Sequence, residues 1–440
     1  MRVTFPSMPP PLTTATATAV AVAVPVANQP DAVAPAFPDT LARHRGAAAF
    51  MLNVAHSLDH LMLLIFATAV GAIAADFGIA RWEDLMPYAA GAFVLFGLGS
   101  LPAGRLGDHW GRRAMMLVFF FGLGASSLLV AAAQGPWQLA ATLTLMGAFS
   151  SIYHPVGIPM LVQGATRPGA VIGVNGLAGN LGIAAAALST GFLVKYFGWR
   201  AAFVVPGLIA IACGFIFARI APREHTPPSR RAPSDVDLPK GVIARALFVV
   251  TLTSTCASLI FNFTTNGNGE FLRERMSAVT GDPALIGALL ALVYLVASFA
   301  QVIVGRAIDR YPLKRLYLAI VLAQVPLFLL ATYAQGWVLY ALAIVYMAFV
   351  FGAIPFTDAI VVRYTDDRIR SRVAGVRLTI SFGIASLAVY LLGPLVKASG
   401  FGTLLLILAA ISTAMAAAVL LLPAERRGAP AAAAPEAPAD

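Results

Sequence analysis

Long apolar segments recur along this chain, and they constrain its fold more than any other feature of the sequence. Each is long enough, as a helix, to cross the hydrocarbon core of a bilayer, which is about 30 Å thick. Because a helix satisfies its own backbone hydrogen bonds in lipid, these segments predict an all-α membrane protein with twelve transmembrane helices. The twelve segments lie at 47–72, 86–104, 112–133, 137–162, 169–195, 200–220, 246–270, 284–304, 315–334, 337–361, 372–396 and 401–423.

The distribution of basic residues predicts how these helices are oriented. Charged residues make up 11% of the chain and the net charge is +10, and a basic excess can indicate nucleic-acid binding. However, 24 of the 30 lysines and arginines fall in the tails and in loops that share one side of the membrane. This asymmetry follows the positive-inside rule. We therefore expect a multi-pass protein of the bacterial inner membrane, with both termini in the cytoplasm and no nucleic-acid partner.

A long polar linker, rich in proline and basic residues, separates the first six apolar segments from the last six. We predict a first six-helix bundle at 47–220, a cytoplasmic central loop at 221–245 and a second six-helix bundle at 246–423. The tails at 1–46 and 424–440 are rich in alanine and proline. Chains of that composition do not bury enough apolar surface to fold, so we expect both tails to be disordered in the cytoplasm.

The two halves resemble each other in sequence. The motif GRLGDHWGRR begins at Gly104 and GRAIDRYPLK begins at Gly305, so glycine, arginine and aspartate match at an offset of 201 residues. The tripeptide Gly-Ile-Ala at 182–184 recurs at 383–385 with the same offset. Several matches at one offset indicate an internal duplication. A repeated six-helix unit is typical of transporters, in which the substrate site lies between the halves near the bilayer midplane.

The motif GRLGDHWGRR closely resembles the signature loop between helices 2 and 3 of the major facilitator superfamily of transporters. The residues that carry the resemblance are Gly104, Asp108, Gly111, Arg112 and Arg113, with Gly305 and Asp309 in the second copy. The resemblance covers 47–423 and implies two pseudo-symmetric six-helix bundles. It also implies that the loop latches the outward-open state at the cytoplasmic face. The alternative is a solvated loop that only satisfies the positive-inside rule.

A looser resemblance is to the fosmidomycin-resistance type of drug exporter within that superfamily. It rests on AHSLDH in segment 1, SSIYHPVG in segment 4 and GVNGLAGNLGIAAAALSTGFL in segment 5. Those exporters pair a histidine in helix 1 with a His-Pro dipeptide in helix 4, so the resemblance implies drug efflux in exchange for protons. This chain departs from many proton-coupled relatives at Leu143, where they carry an arginine.

Segment 1 carries His56, Asp59 and His60 within two helical turns, and segment 4 carries His154. At 1.5 Å per residue, His56 lies about 14 Å into the membrane, and His154 reaches a similar depth. Ionisable residues inside spanning helices are costly and usually face a cavity or a proton pathway. We therefore predict that these four residues bind and release the coupling proton.

Two other interpretations of these residues remain open. In the first, they form a hydrogen-bonded polar cluster that only fixes the packing of segments 1 and 4. Alternatively, His56, Asp59 and His60 share a divalent metal ion, with His154 as a fourth ligand. No other His- or Cys-rich segment indicates a metal pathway, so from sequence we expect neither a metal nor a cofactor.

Further polar and aromatic residues are candidates for the wall of the substrate cavity. Segment 7 contains FNFTTNGNGEF, which is dense in asparagine, threonine and glycine for a spanning helix. Such polar, glycine-broken segments often line a substrate path, although hydrogen bonding between helices is an equal alternative. The predicted cavity residues are Asn53, Tyr153, Asn262, Asn266, Phe261 and Phe263.

These features favour a secondary transporter over an enzyme. The chain has no P-loop lysine motif and no nucleophile elbow. Our leading hypothesis is a monomeric transporter that moves a small organic molecule outward by alternating access, in exchange for protons. Its partners would be that substrate, protons and the lipid bilayer. The alternatives are a proton symporter or uniporter that imports a metabolite such as an organic acid, and a non-transporting assembly factor or sensor.

Overall fold

The computed structural model describes residues 39–163, 168–221, 240–364 and 367–423, and every regular element within those ranges is a helix. The expected all-α fold is confirmed. The helices that precede the central linker are α1 (Asp39–Asp76), α2 (Ala90–Leu98), α3 (Ser100–Trp110), α4 (Arg112–Ala131), α5 (Pro136–Ser150), α6 (Ile158–Val162), α7 (Pro168–Phe197) and α8 (Trp199–Ile220). Those that follow it are α9 (Lys240–Arg275), α10 (Pro283–Ile308), α11 (Leu313–Tyr333), α12 (Gly336–Gly352), α13 (Ile354–Tyr364) and α14 (Asp367–Leu420).

The described helices account for the twelve predicted crossings. Ten helical stretches are long and apolar enough to span a membrane, and a pair bent by 45°, Trp82–Leu98 with Ser100–Trp110, makes eleven. The last stretch, Thr379–Leu420, has 42 residues, whereas one crossing needs about 20. Its Gly400 has a φ of 75°, outside the helical region, so two helices meet there. Division at this glycine gives the twelfth crossing.

Two helices begin earlier than the sequence indicated. α1 begins at Asp39, within the tail at 1–46 for which we expected no structure. α9 begins at Lys240, within the predicted central loop. The remainder of the tails and of the central loop lies outside the described residues, at 1–38, 222–239 and 424–440. The predicted boundaries of the two bundles stay a prediction.

Glycines allow α7 to pack very closely against α1. A methyl group on Gly182 would lie 2.1 Å from the backbone oxygen of Ser57, and one on Gly179 would lie 2.6 Å from the His56 ring. Neither position can accept a side chain unless the two helices move apart. The Ser57 hydroxyl also donates a hydrogen bond of 2.6 Å to the backbone oxygen of Ala178. The glycine spacing in segment 5 thus brings its backbone against the polar face of α1.

The first six and the last six spans are joined at the end of the molecule that lies opposite the Gly104–Arg113 loop, which we call the far end. Lys195 of α7 forms an ion pair with Asp282, the residue that caps the N-terminus of α10. Lys397 of α14 forms another with Asp84. Both pairs connect residues that are distant in sequence, so they close the molecule at the far end.

Candidate functional site

Three titratable side chains of α1 share one face of the helix. His56, Asp59 and His60 stand at positions i, i+3 and i+4, which lie on the same side of a helix. His56 is 5% exposed, Asp59 is fully buried and His60 is half-buried. The Nε2 atoms of His56 and His60 are 3.1 Å apart. The residues predicted from sequence therefore form one compact polar face inside the protein.

A local break in the fourth span brings His154 to this face. After α5 ends, the chain passes through a π-helical turn at Tyr153–Gly157 before α6 begins. Pro155 lies in that turn and has no backbone N–H for a helical hydrogen bond, and π-helical turns are frequent at functional sites. His154 Nε2 lies 3.8 Å from Asp59 Oδ2, and its ring centroid lies 5.1 Å from that of His56. We call His56, Asp59, His60 and His154 the histidine cluster.

Asn175 of α7, which the sequence analysis did not select, connects the histidine cluster to its surroundings. Its backbone oxygen accepts a hydrogen bond from His56 Nδ1 at 2.7 Å. Its side-chain amide donates to the Tyr153 hydroxyl at 2.6 Å and to Asn53 Oδ1 at 3.0 Å. The Tyr153 ring also stacks on His56, with centroids 4.7 Å apart. Two predicted cavity residues, Asn53 and Tyr153, therefore lie beside the cluster. Asn175 could also have been identified from sequence, because an asparagine within a spanning segment indicates a functional position.

The hydrogen bond to Asn175 determines the tautomer of His56. A carbonyl oxygen only accepts hydrogen bonds, so His56 Nδ1 carries the proton and Nε2 presents a lone pair. His60 Nε2 lies at hydrogen-bond distance from that lone pair and donates to it. Hydrogen bonding within the cluster therefore has one direction, from His60 to His56 and on to Asn175.

Asp59 differs from its neighbours because neither of its oxygens has a hydrogen-bond partner among the described residues. The side chain is fully buried, and the Ser150 hydroxyl lies next to it. A buried carboxylate without hydrogen-bond donors is strongly unfavourable unless a proton or a cation is close by. The nearest group of that kind is the imidazole of His154. Asp59 is thus a place where the protein can hold a proton or a positively charged ligand.

The imidazoles of the histidine cluster also have the composition of a metal-ligand set. One ring nitrogen from each of His56, His60 and His154 lies within 4.8 Å of the other two. Neutral imidazole is a good ligand for zinc and neighbouring transition metals. The sequence could place these residues at one depth, but it could not show that the three rings meet.

Three of the predicted cavity residues of segment 7 make their contacts away from the histidine cluster, on α9 and α12. The Asn262 amide donates to the Ser258 backbone oxygen at 2.9 Å, and the Asn266 amide donates to the Asn262 backbone oxygen at 3.0 Å. Both amides therefore bond within their own helix. Phe261 packs against Phe351 of α12, with ring centroids 5.3 Å apart.

Other residues of α9 reach neighbouring helices. Phe263, the fourth predicted cavity residue of this segment, lines a small cavity with Phe401 and Leu404 of α14. The Tyr346 hydroxyl of α12 donates to Asn268 Oδ1 at 3.0 Å. Asn268 thus makes the kind of bond between helices that was the alternative interpretation of this segment. A role of α9 in the substrate path stays a prediction.

The signature loop connects α3 to α4. Arg113 at the start of α4 anchors that helix to the end of α8. Gly111 has a φ of 88°, so this turn requires glycine. Arg113 donates to two backbone oxygens at the C-terminal end of α8, at 2.5 and 3.0 Å, where the helix dipole favours a cation. Arg112 reaches Gln163 Oε1 at 3.4 Å, and Asp108 is exposed.

The remaining motif residues lie within α3 and at the C-terminal end of α10. A methyl group on Gly104 would make only an ordinary contact, whereas one on Gly107, which we did not select, would lie 2.9 Å from Val156. Gly107 is thus the glycine that lets α3 pack against the π-helical turn. In the second copy, Gly305 lies in the last turn of α10 and the exposed Asp309 follows it. The latching role of the loop stays a prediction.

Solved structures of other transporters share this architecture. A bacterial homolog of the human lysosomal transporter Spinster, in an inward-facing and unoccupied conformation, aligns with a TM-score of 0.65 and 14% identity. The alignment covers 86% of this chain and 95% of that one. The same homolog in its inward-facing and occupied conformation gives a TM-score of 0.66, 15% identity and coverages of 86% and 94%. At this identity the likeness shows the fold alone.

Three of the curated relatives come from Streptomyces species. The probable actinorhodin transporter of Streptomyces coelicolor is 31% identical over 193 residues, which cover 42% of this chain and 32% of that protein. Puromycin resistance protein pur8 of Streptomyces alboniger is 31% identical over 135 residues, or 30% and 27% of the two chains. The tetracenomycin C resistance and export protein of Streptomyces glaucescens is 28% identical over 157 residues, or 34% and 29%. The chain therefore spans about a third or less of the length of these relatives.

A family model settles the family. The model of the Major Facilitator Superfamily matches residues 33–272 and 246–439, which together take in most of the chain. Its many apolar helices agree with that family, and the chain is a multi-pass membrane protein. The chain belongs to the Major Facilitator Superfamily.

Proposed function

We propose that this transporter exports a small organic molecule in exchange for protons, and that Asp59 carries the coupling proton. The observation that carries this proposal is the Asp59 carboxylate, which is fully buried and accepts no hydrogen bond among the described residues. A scaffold has little use for such a group, because it destabilises the fold. A transporter that must bind and release a proton in each cycle does need it.

His154 and His60 are the groups through which the proton would reach Asp59. His154 Nε2 lies 3.8 Å from the carboxylate, and both imidazoles are partly exposed, whereas Asp59 is not. An imidazole can accept a proton on one ring nitrogen and release one from the other. The proton thus enters through the partly exposed imidazoles and is held at the buried carboxylate until the opposite side opens.

The surroundings of the cluster favour an aromatic substrate with polar substituents. The Tyr153 ring stacks on His56, and the Phe96 ring lies 5.7 Å from that of His154. Apolar and aromatic walls with a few polar groups are typical of small-molecule sites. Three relatives are named for actinorhodin, puromycin and tetracenomycin C. The tetracenomycin C relative is named for export and the puromycin relative for resistance, which supports export over import for this chain.

The same proposal places the protein in the bacterial inner membrane as a monomer, with both termini in the cytoplasm. The support is the excess of lysine and arginine in the predicted cytoplasmic segments. In that orientation the far end faces outward, and the ion pairs there close the outer side.

The direct test is transport of puromycin by the purified full-length chain in proteoliposomes with an imposed pH gradient. We expect outward movement that rises with an inward proton gradient and falls to the level of empty vesicles in Asp59→Asn. The control Glu274→Gln makes the same carboxylate-to-amide change at an exposed residue outside the site, and it should transport like the wild type. Gradient-driven transport by Asp59→Asn would contradict the coupling role of Asp59.

Direction and coupling are separated in the same vesicles. Uptake driven by the proton gradient in the direction of proton flow would indicate a symporter and overturn export. Movement that is indifferent to the gradient would indicate a uniporter. Because puromycin is only one candidate, tetracenomycin C serves as a second probe, and a thermal shift of the purified protein by either compound shows independently whether it binds.

A further inference from the structure

We propose that the histidine cluster binds one divalent transition-metal ion of the zinc class, with His56, His60 and His154 as its ligands. This inference concerns binding of a metal ion, and it does not depend on export of an organic molecule. From sequence we expected no metal, because no other His- or Cys-rich segment indicates a metal pathway. The arrangement of the three rings changes that expectation.

The distances between the rings are close to those of a metal site. Zinc–nitrogen bonds of about 2.0–2.1 Å at tetrahedral angles place the ligand nitrogens about 3.3–3.4 Å apart. His56 Nε2 and His60 Nε2 are 3.1 Å apart, so two ligands already have this spacing. His154 contributes a nitrogen within 4.8 Å of both. A small rotation of its side chain completes a three-histidine set.

The hydrogen bond on His56 has the form that supports a metal ligand. A metal-bound imidazole usually donates its other ring N–H to a carbonyl or a carboxylate, which fixes the ring and its tautomer. His56 Nδ1 donates to the Asn175 backbone oxygen at 2.7 Å, which leaves Nε2 facing His60. The protein thus already orients this ring for coordination through Nε2.

Asp59 supplies the charge that three neutral imidazoles lack. Its carboxylate lies 3.8 Å from His154 Nε2, is fully buried and has no hydrogen-bond partner among the described residues. A divalent cation between the rings would offset that buried charge. The carboxylate has two possible positions relative to the ion. It is either the fourth ligand of a tetrahedral ion or the hydrogen-bond partner that orients His154.

The donor set indicates the class of ion. Imidazole nitrogens suit zinc, nickel, cobalt and copper, whereas magnesium and calcium require mainly oxygen ligands. The site is also accessible, since the His154 side chain is 15% exposed and His60 is half-buried. Two of the three ligand rings are therefore not sealed from their surroundings.

The test is metal binding by the full-length chain, purified in detergent with a tag that contains no histidine and stripped with a chelator. Titration with Zn²⁺ in a calorimeter should give one site per chain. Co²⁺ in the same site should give the visible absorption bands of a four-coordinate complex. We expect His56→Ala and His154→Ala each to weaken Zn²⁺ binding at least about tenfold, as loss of one of three ligands requires. Mg²⁺ should not compete.

His109→Ala is the matched control, because His109 is exposed and lies on α3 outside the cluster. It should bind Zn²⁺ like the wild type. His60→Gln is a second ligand variant, in which the new side chain is similar in size to histidine. Its thermal unfolding and its elution volume show whether it is folded, so that weak Zn²⁺ binding can be distinguished from misfolding. Wild-type binding no tighter than that of a folded His56→Ala or His60→Gln protein would overturn the inference. So would binding that is lost in His109→Ala.

Discussion

The two halves of the molecule have the same helical architecture, but their polar interiors differ. At the offset of 201 residues, His56, Asp59 and His60 of α1 correspond to Ala257, Ile260 and Phe261 of α9. The polar residues that α9 does have bond mainly within their own helix, as Asn262 and Asn266 do. In α1, by contrast, His56 and Ser57 bond to the backbone of α7, and Asp59 lies beside His154 of the fourth span. α9 also buries a carboxylate, Glu270, but Arg273 lies 3.4 Å from it. The two halves therefore share the helical architecture, while the cluster of imidazoles lies in the first half.

A similar contrast appears where the fourth and tenth spans break. The break in the fourth span is a π-helical turn that contains Pro155 and presents His154. The break in the tenth lies at Ala353, between α12 and α13, and is followed by Pro355. Proline accompanies both breaks, and at the offset of 201 residues His154 corresponds to Pro355. The two halves thus share the break, whereas the imidazole occurs only at the first.

The largest expected effect is a gain in stability on removal of the Asp59 carboxylate, whose oxygens accept no hydrogen bond among the described residues. Asp59→Leu replaces it with an apolar side chain of similar size, so we expect stabilisation by about 1–3 kcal/mol, the usual cost of a buried polar group left unsatisfied. Transport should be lost in the same variant. Thermal and denaturant unfolding in detergent measure the first effect. A destabilised Asp59→Leu protein would show that the carboxylate has a structural partner and would remove the contrast between the halves.

The second prediction compares the duplicated glycines. Gly182→Ala places a methyl group 2.1 Å from a backbone oxygen of α1, and such overpacking destabilises a protein by about 1–3 kcal/mol. Gly383→Ala, at the equivalent position of the second half, meets nothing within 4 Å. It should be neutral or stabilise the helix by about 0.5–1 kcal/mol. Equal unfolding temperatures for the two variants would show that α1 and α7 are not packed as closely as described.

A smaller effect should separate two asparagines. Asn175→Ala removes an amide that hydrogen-bonds to Tyr153 and Asn53, and it leaves their polar groups unpaired, at a cost of about 1–3 kcal/mol. Asn266→Ala removes an amide that bonds only to its own helix, so it leaves no side chain of another helix unpaired and should cost less stability than Asn175→Ala. Denaturant titration of both variants in the same detergent is the measurement. A larger loss of stability in Asn266→Ala than in Asn175→Ala would show that the asparagine connecting the helices lies in the second half and not in the first.

The smallest expected effect concerns the far end. Lys195 lowers the pKa of the Asp282 carboxyl through their hydrogen bond. The ion pair therefore contributes to the stability of the fold at neutral pH. This contribution is lost as the pH falls through the pKa of the carboxyl in the folded protein. Because both side chains are exposed to solvent and to screening by salt, Lys195→Ala should change the unfolding temperature little at neutral pH. Any difference from the wild type should vanish in acid, which thermal scans at two pH values would detect.

Sequence predicts the number of helices, but it predicts the contacts of the candidate site only in part. Apolar length alone identified the crossings, because each helix satisfies its backbone independently of its neighbours. The residues of the histidine cluster were identified by their cost in lipid. The contact between Asp59 and His154, and the role of Asn175, depend on the rotation of three helices and on a π-helical turn. Hydropathy contains no information on either. Sequence could not decide between a substrate path and bonding between helices for α9. In the structure Asn262 and Asn266 bond to their own helix and Asn268 bonds to α12, so the role of α9 in the substrate path stays a prediction.

The hydrogen bond from His56 to Asn175 has a consequence for natural variation. The acceptor is the backbone oxygen of residue 175, which every amino acid possesses, so no substitution at that position deletes it. What the bond requires is an imidazole at position 56 and a glycine at 179, where a methyl group would meet the ring. Among descendants of this chain, the pair that must change together is therefore 56 and 179. Residue 175 itself is free to drift as far as its side-chain contacts allow.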